Sequence, residues 1–170
     1  LLGTGSLVST GDVGITVGQD ISAASIDAGG QLTTAAAIGG ALETLYTVPG
    51  SISIGSYTQG APTGVNIESG NGIDFGSIAL ASEQDIRLIA ANTGAGDVFL
   101  GTATNADAVT LEGDNVGFTT LDTNGPVTLT ANAGNVTGGA VASNGNVSAS
   151  GTGISIGNVN ASGGAITLQA

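Results

Sequence analysis

Aliphatic residues at alternating positions return about every twenty residues along this chain, and three interleaved series of them can be followed. The first reads Val13/Ile15/Val17, Leu32, Ile52/Ile54, Ile73/Phe75, Val98/Leu100, Val116/Phe118, Val136 and Ile154/Ile156. The second, offset by about half a period, reads Ile26, Leu45, Val65/Ile67, Ile86/Leu88, Val109/Leu111, Val127/Leu129, Val147 and Ile166/Leu168. A weaker third reads Ile21, Leu42, Ile78/Leu80, Leu121, Val141 and Val159. Steps of roughly 18–25 residues mark a repeat architecture rather than a globule.

Inside each unit the period is two. In Val127-Thr128-Leu129-Thr130-Ala131 the apolar residues fall on one face and the threonines on the other, which is strand patterning. Gly, Asn, Ser, Thr and Asp separate the units, as in Gly94-Ala95-Gly96-Asp97 and Ser143-Asn144-Gly145-Asn146, residues suited to corners with positive φ. Ala35 to Leu45 has helical composition, but Gly39-Gly40 interrupts it, leaving at most a short helical turn. Asn71-Gly72, Asn124-Gly125 and Asn144-Gly145 read equally as type I′ hairpin turns, so antiparallel hairpins compete with a parallel coil. The regular steps favour the coil. The expected fold is all-β, a right-handed parallel β-helix (β-solenoid) of about eight triangular coils of roughly 20 residues. At a strand spacing near 4.8 Å this is a rod about 40 Å long. Residues 1–170 form one solenoid segment on this reading.

Composition narrows the interior. With 31 Gly, three Phe, two Tyr and no Trp, the core must be a thin stack of Val, Ile, Leu and Ala. A hydrophobic share of 41% against 8% charged residues is the opposite of a disordered composition. No apolar run is long enough to span a membrane as a helix, so no membrane insertion is expected. The chain opens on Leu1-Leu2 and has no Met, as expected of a processed product or an internal segment, and no signal peptide is visible. Without Cys there are neither disulfides nor thiolate metal sites. Neither terminus carries an amphipathic or charged cap, so further coils or end-to-end self-association are expected partners.

Charge separates the functional classes. Thirteen acidic residues against the single Arg87 give a net charge of −12, which argues against nucleic-acid binding and anionic membrane surfaces. The last acid is Asp122, and from Thr123 to Ala170 no side chain is charged. Without His, Cys or Lys no Ser/His/Asp or Cys/His nucleophile system can be assembled, so no enzyme is expected. A carbohydrate-active β-helix using paired carboxylates is the one enzymatic alternative. Arg87 lies between Ile86 and Leu88, and alternation turns it outward, beside Asp85 or Glu83 as a surface ion pair. Asp107, Glu112 and Asp114 flank one strand and offer calcium-type oxygens, although no calcium-roll nonapeptide is present; no cofactor is expected, with calcium the sole alternative. Asn135, Asn146 and Asn160 each open an Asn-x-Ser/Thr tripeptide and are candidate glycosylation acceptors; turn-forming and stacked-amide roles compete for the same asparagines. Thr-rich outer faces suit a glycan-binding module, and an ice-type Thr-x-Thr ladder is not expected to continue beyond Thr128/Thr130.

The segments Gly125–Asn135 (GPVTLTANAGN), Gly145–Ser150 (GNVSAS) and Gly157–Ala170 (GNVNASGGAITLQA) resemble the repeats of filamentous-haemagglutinin-type, two-partner-secretion exoproteins, most clearly from Val65 onward. That resemblance implies a right-handed β-helical shaft, export through an outer-membrane transporter, and an adhesive or fibrous role at the bacterial cell surface, facing host glycans or receptors. The Asn-Pro-Asn-type motifs of the family's secretion domain do not occur, so the resemblance implies shaft rather than secretion cap.

Overall fold

A computed structural model describes residues 6–10, 13–14, 21–23, 25–28, 32–33, 52–59, 64–69, 72–90 and 96–170. Among these residues, period-two patterning becomes strand. In chain order these are β1 (Ser6–Ser9), β2 (Val13–Gly14), β3 (Ile21–Ala23), β4 (Ser25–Ala28), β5 (Leu32–Thr33), β6 (Ile52–Gln59), β7 (Val65–Ser69) and β8 (Ile73–Ala90). They continue as β9 (Val98–Gly113), β10 (Val116–Thr123), β11 (Val127–Ala131), β12 (Asn135–Ser143), β13 (Val147–Ser150), β14 (Gly153–Ala161) and β15 (Ile166–Gln169). No helix occurs among the described residues, and the stretch Ala35 to Leu45 lies outside them.

Every strand pairing is parallel, which decides for the coil over hairpins. Three ladders carry the stack. One aligns Ile52, Ile73, Val98, Val116, Val136 and Ile154. A second aligns Tyr57, Ile78, Ala103, Leu121, Val141 and Val159. The third aligns Val65, Ile86, Val109, Val127, Val147 and Ile166. The chain is thus a parallel β-solenoid of about five turns. The strands β8 and β9 run 18 and 16 residues, because the backbone rounds its corners without leaving the ladder.

From Ile52 onward the three sequence series coincide with the three ladders. Before it only the step from Val13 to Leu32 in the first series holds. Ile21, placed in the third series, stacks on Ile52 of the first; Ile26, placed in the second, aligns with Tyr57. Val13 pairs with Leu32 in a separate two-stranded sheet. Ile21 and Ile26 precede their partners by 31 positions (52 − 21 and 57 − 26), so counting by twenties assigns the wrong rung. Leu42 and Leu45 lie outside the described residues.

The core is a column of buried aliphatics running from Val65 to Ala149, with Ile67, Phe75, Ile78 and Leu88 fully enclosed. Stacking like side chains one rung apart removes each from water without any large residue at the centre. Volume is balanced between rungs. Phe118 packs over Gly138, where a Cβ would stand 2.1 Å from the ring's Cζ, so the aromatic occupies the space of two positions.

The corners are held differently from expectation. Asn105 is the one non-glycine residue with positive φ among those described, at 62°, and its Nδ2 donates to the Leu80 carbonyl at 2.8 Å. It sits where the register between β9 and β10 slips, in the stretch Ala103–Ala106 that is one residue longer than Leu121–Thr123 opposite it. Elsewhere close approach, not positive φ, explains the glycines. Gly55, Gly76 and Gly101 stack at one corner, where a Cβ on Gly76 would lie 2.2 Å from the Gly55 carbonyl oxygen and one on Gly101 2.1 Å from that of Gly76. Gly139 and Gly157 hold the same corner in later turns.

Candidate functional site

The chemistry of this molecule is spread over its corners and outer faces. Along one corner side-chain and backbone groups bond from turn to turn. Asp97 Oδ1 accepts from the backbone N–H of Asn115 at 3.1 Å and from its Nδ2 at 2.9 Å. Asn115 Oδ1 in turn accepts from the backbone N–H of Asn135 at 2.9 Å, and the Thr152 hydroxyl donates to the Gly134 carbonyl at 2.9 Å, with Asn135 Oδ1 at 3.3 Å from it. A second corner repeats the logic: Asn144 Nδ2 donates to Asn124 Oδ1 at 3.1 Å, and Ser162 donates to Asn144 Oδ1 at 2.7 Å. An amide both donates and accepts, so Asn propagates such a relay from turn to turn, whereas Asp can only end it.

Beneath the second corner two hydroxyls are buried, at Thr123 and Ser143, each 4% exposed. Both donate to the Gly125 carbonyl, at 2.9 and 2.8 Å, and Ser143 Oγ accepts from Gly145 N–H at 3.0 Å. These two residues were not singled out in the sequence. The signal was present as a polar residue in an otherwise apolar alternation, Leu121-x-Thr123 and Val141-x-Ser143.

The three candidate acceptor asparagines are all exposed, but they stand in different settings. Asn135 belongs to the first corner. Asn146 Oδ1 accepts from the Ala165 N–H at 2.9 Å. Asn160 lies on β14 opposite Ala142, with no side-chain hydrogen bond. The structure therefore does not bring the three together; the amide-to-amide bond between turns is made by Asn144 with Asn124, whereas Asn135 joins its corner through its backbone N–H.

Arg87 points outward, as alternation requires, but its partner lies one turn away. Its guanidinium pairs with Glu68 on β7 and donates to Asn66 Oδ1 at 2.8 Å, not to Asp85 or Glu83. The reason is the ladder: Asn66 is in register with Arg87, which sets Glu68 diagonally across from it, while Asp85 Oδ1 is occupied by the Ala108 N–H at 3.2 Å. Asp107, Glu112 and Asp114 do not converge. Glu112 accepts from Asn132 Nδ2 at 3.2 Å, and among the described residues no group of three acidic side chains is placed to share a metal ion.

One outer face is more regular than the sequence suggested. Thr110, Thr128, Ser148 and Thr167 are in register on four successive rungs, and Thr130 stands between Glu112 and Ser150. The hydroxyl column thus continues past Thr128/Thr130, with Ser in place of Thr, which a search for Thr-x-Thr alone overlooks. Comparison with protein-family models, with curated proteins and with solved structures finds no match to this chain.

Proposed function

We propose that the chain is the structural, adhesive shaft of a secreted bacterial cell-surface fibre, resembling the filamentous-haemagglutinin-type exoproteins, and that it works without catalysis. One observation carries this reading: the described strands from Ile52 to Gln169 pair in parallel, turn upon turn, and the ladders resume after each slip in register. Backbone hydrogen bonds then run along the long axis of the stack, so pulling on the rod loads many of them together. The right-handed sense of the coil, and the fuller count of about eight turns over residues 1–170, belong to the same proposal. So do the extracellular location, the outer-membrane transporter as export partner, and glycans at Asn135, Asn146 and Asn160.

The relays support a shaft, because they stiffen corners with neutral groups that do not repel from turn to turn. The exposed hydroxyl column from Thr110 to Thr167 favours a second reading, a glycan-binding module in which a flat polar face meets a host or cell-surface sugar. Negative-stain electron microscopy with small-angle X-ray scattering tests the shaft: a stiff rod about 10 Å longer for each pair of added turns is expected, and a compact particle overturns it. A glycan array tests the second reading, with loss of any signal in Thr128→Lys as its signature. Intact mass of native material tests the sugars, unmodified peptides over Asn135, Asn146 and Asn160 being the negative result.

A further inference from the structure

Asn124-Gly125 and Asn144-Gly145 form the same corner in successive turns, with both asparagines exposed. Asparagine is a chemically labile side chain, and a following glycine leaves the next backbone nitrogen unscreened by any Cβ. The reaction open to such a pair is attack of that nitrogen on the asparagine's own Cγ, closing a small imide ring. The two corners hold the nitrogen differently. Gly125 is buried, and its N–H donates to the Asp107 carbonyl one turn below at 2.6 Å. Freeing it breaks a backbone bond between turns. Gly145 is half-buried, and its N–H is held within its own turn by Ser143 Oγ at 3.0 Å. Freeing it breaks no bond between turns.

The amides under attack differ as well. Asn144 Oδ1 accepts from the Ser162 hydroxyl at 2.7 Å, a donor placed where negative charge gathers as the nitrogen adds to Cγ. Its Nδ2, the leaving group, donates to Asn124 Oδ1 at 3.1 Å, a long contact between exposed groups that costs little to break. We propose that Asn144-Gly145 is a site of spontaneous deamidation, which the fold permits there and withholds from Asn124-Gly125. The Gly145 nitrogen gives its proton to hydroxide and bonds to Asn144 Cγ. The Cγ–Nδ2 bond then breaks, and Nδ2 takes a proton from water and leaves as ammonia. Water opens the imide at one of its two carbonyls, giving aspartate or isoaspartate, so that overall water is consumed and ammonia released. Either product sets a carboxylate in the length from Thr123 to Ala170, which begins with none. It also ends the amide-to-amide bond between these turns, since a carboxylate has no N–H to offer Asn124 Oδ1.

The test ages the 170-residue chain at neutral and mildly alkaline pH and maps its peptides by mass spectrometry, with fragmentation that separates aspartate from isoaspartate. Both products are expected at Asn144, at least about fivefold faster than at Asn124, the factor that one backbone hydrogen bond is worth. Conversion at Asn144 is expected to quicken as pH rises, because the attacking nitrogen must first lose its proton. A parallel sample in concentrated urea removes the fold, and there the two sites are expected to react at similar rates. Asn144→Gln keeps the amide but lengthens the side chain, which disfavours ring closure, and is expected to abolish the fast product while leaving the rate at Asn124 unchanged. Three results overturn the site: Asn124 converting as fast as Asn144 in the folded chain, the same difference persisting in urea, or Asn144 intact in the folded chain after the urea sample has reacted. The first shows that the ladder does not shield Gly125, the second that local sequence rather than the fold sets the rates, and the third that the fold protects both corners.

Discussion

The turns from Val65 to Asp122 and those from Thr123 to Ala170 share one backbone path and solve it with different chemistry. The earlier turns hold the six largest fully buried side chains, Ile67, Ile73, Phe75, Ile78, Ile86 and Leu88, and they carry the Arg87–Glu68 ion pair and acidic corners. Apart from Leu129, the later turns are filled by smaller residues, Val127, Val136, Val141, Val147 and Ala149. Their corners are stitched by Asn, Ser and Thr side chains, with no charge at all. The earlier turns join their neighbours through charged side chains, with Asp85, Asp97 and Glu112 accepting across a turn and Arg87 pairing with Glu68. A thin core leans on hydrogen bonds at the corners, which are satisfied pairwise and do not repel when stacked. The rung itself is indifferent to which solution is used, because each turn contacts only its neighbours.

The contrast is broken most severely by removing the thick core. Phe75→Ala empties a fully enclosed site and is expected to cost about 3–5 kcal/mol, read as a lower midpoint in urea unfolding. The matching change in the later turns, Val147→Ala, is expected to cost about 2 kcal/mol, since fewer methylenes leave. Equal losses at the two sites would show that the regions do not differ in their cores. Next in size is the corner where backbones touch: Gly101→Ala drives a Cβ into the Gly76 carbonyl and is expected to destabilise by about 1–3 kcal/mol, visible as a drop in melting temperature. Ser143→Ala leaves the Gly145 N–H without its side-chain acceptor and is expected to cost about 1–3 kcal/mol, a test of how far the later turns depend on buried hydroxyls. The smallest effect is assigned to the ion pair. Arg87→Gln is expected to cost under about 1 kcal/mol, and to cost less still as salt is raised, because the guanidinium side chain is 43% exposed.

Particular residues mark how far the fold was legible. From Ile52 onward, Ile73/Phe75, Val116/Phe118 and Val127/Leu129 announced both their strands and their ladders, because inward aliphatics at period two and rungs at period twenty are written directly in the chain. Ala103 was silent. It occupies the column between Ile78 and Leu121, yet an alanine in a chain rich in small residues carries no contrast. The corner residues were legible by type and not by role. Gly76 and Gly101 read as turn formers, and their actual constraint, a neighbouring carbonyl one turn away, exists only once turns are stacked. The Asn-x-Ser/Thr tripeptides were legible as motifs, while the different bonding of Asn135, Asn146 and Asn160 depended on what lies one rung above.

By itself the sequence determined the strand character, the period, the side of each strand that faces inward and the division into acidic and uncharged lengths, since all of these are local or additive properties of residues. The tertiary structure alone decided which rung lies on which. It set Ile21 on Ile52 despite the long connection before it, gave Arg87 to Glu68 rather than to its neighbours in the chain, and aligned Thr110, Thr128, Ser148 and Thr167 into one face. Pairing across a turn depends on how much chain each corner consumes, and the slip that opens beside Asn105, between Leu121 and Thr123, is made up again where Val127 meets Val109.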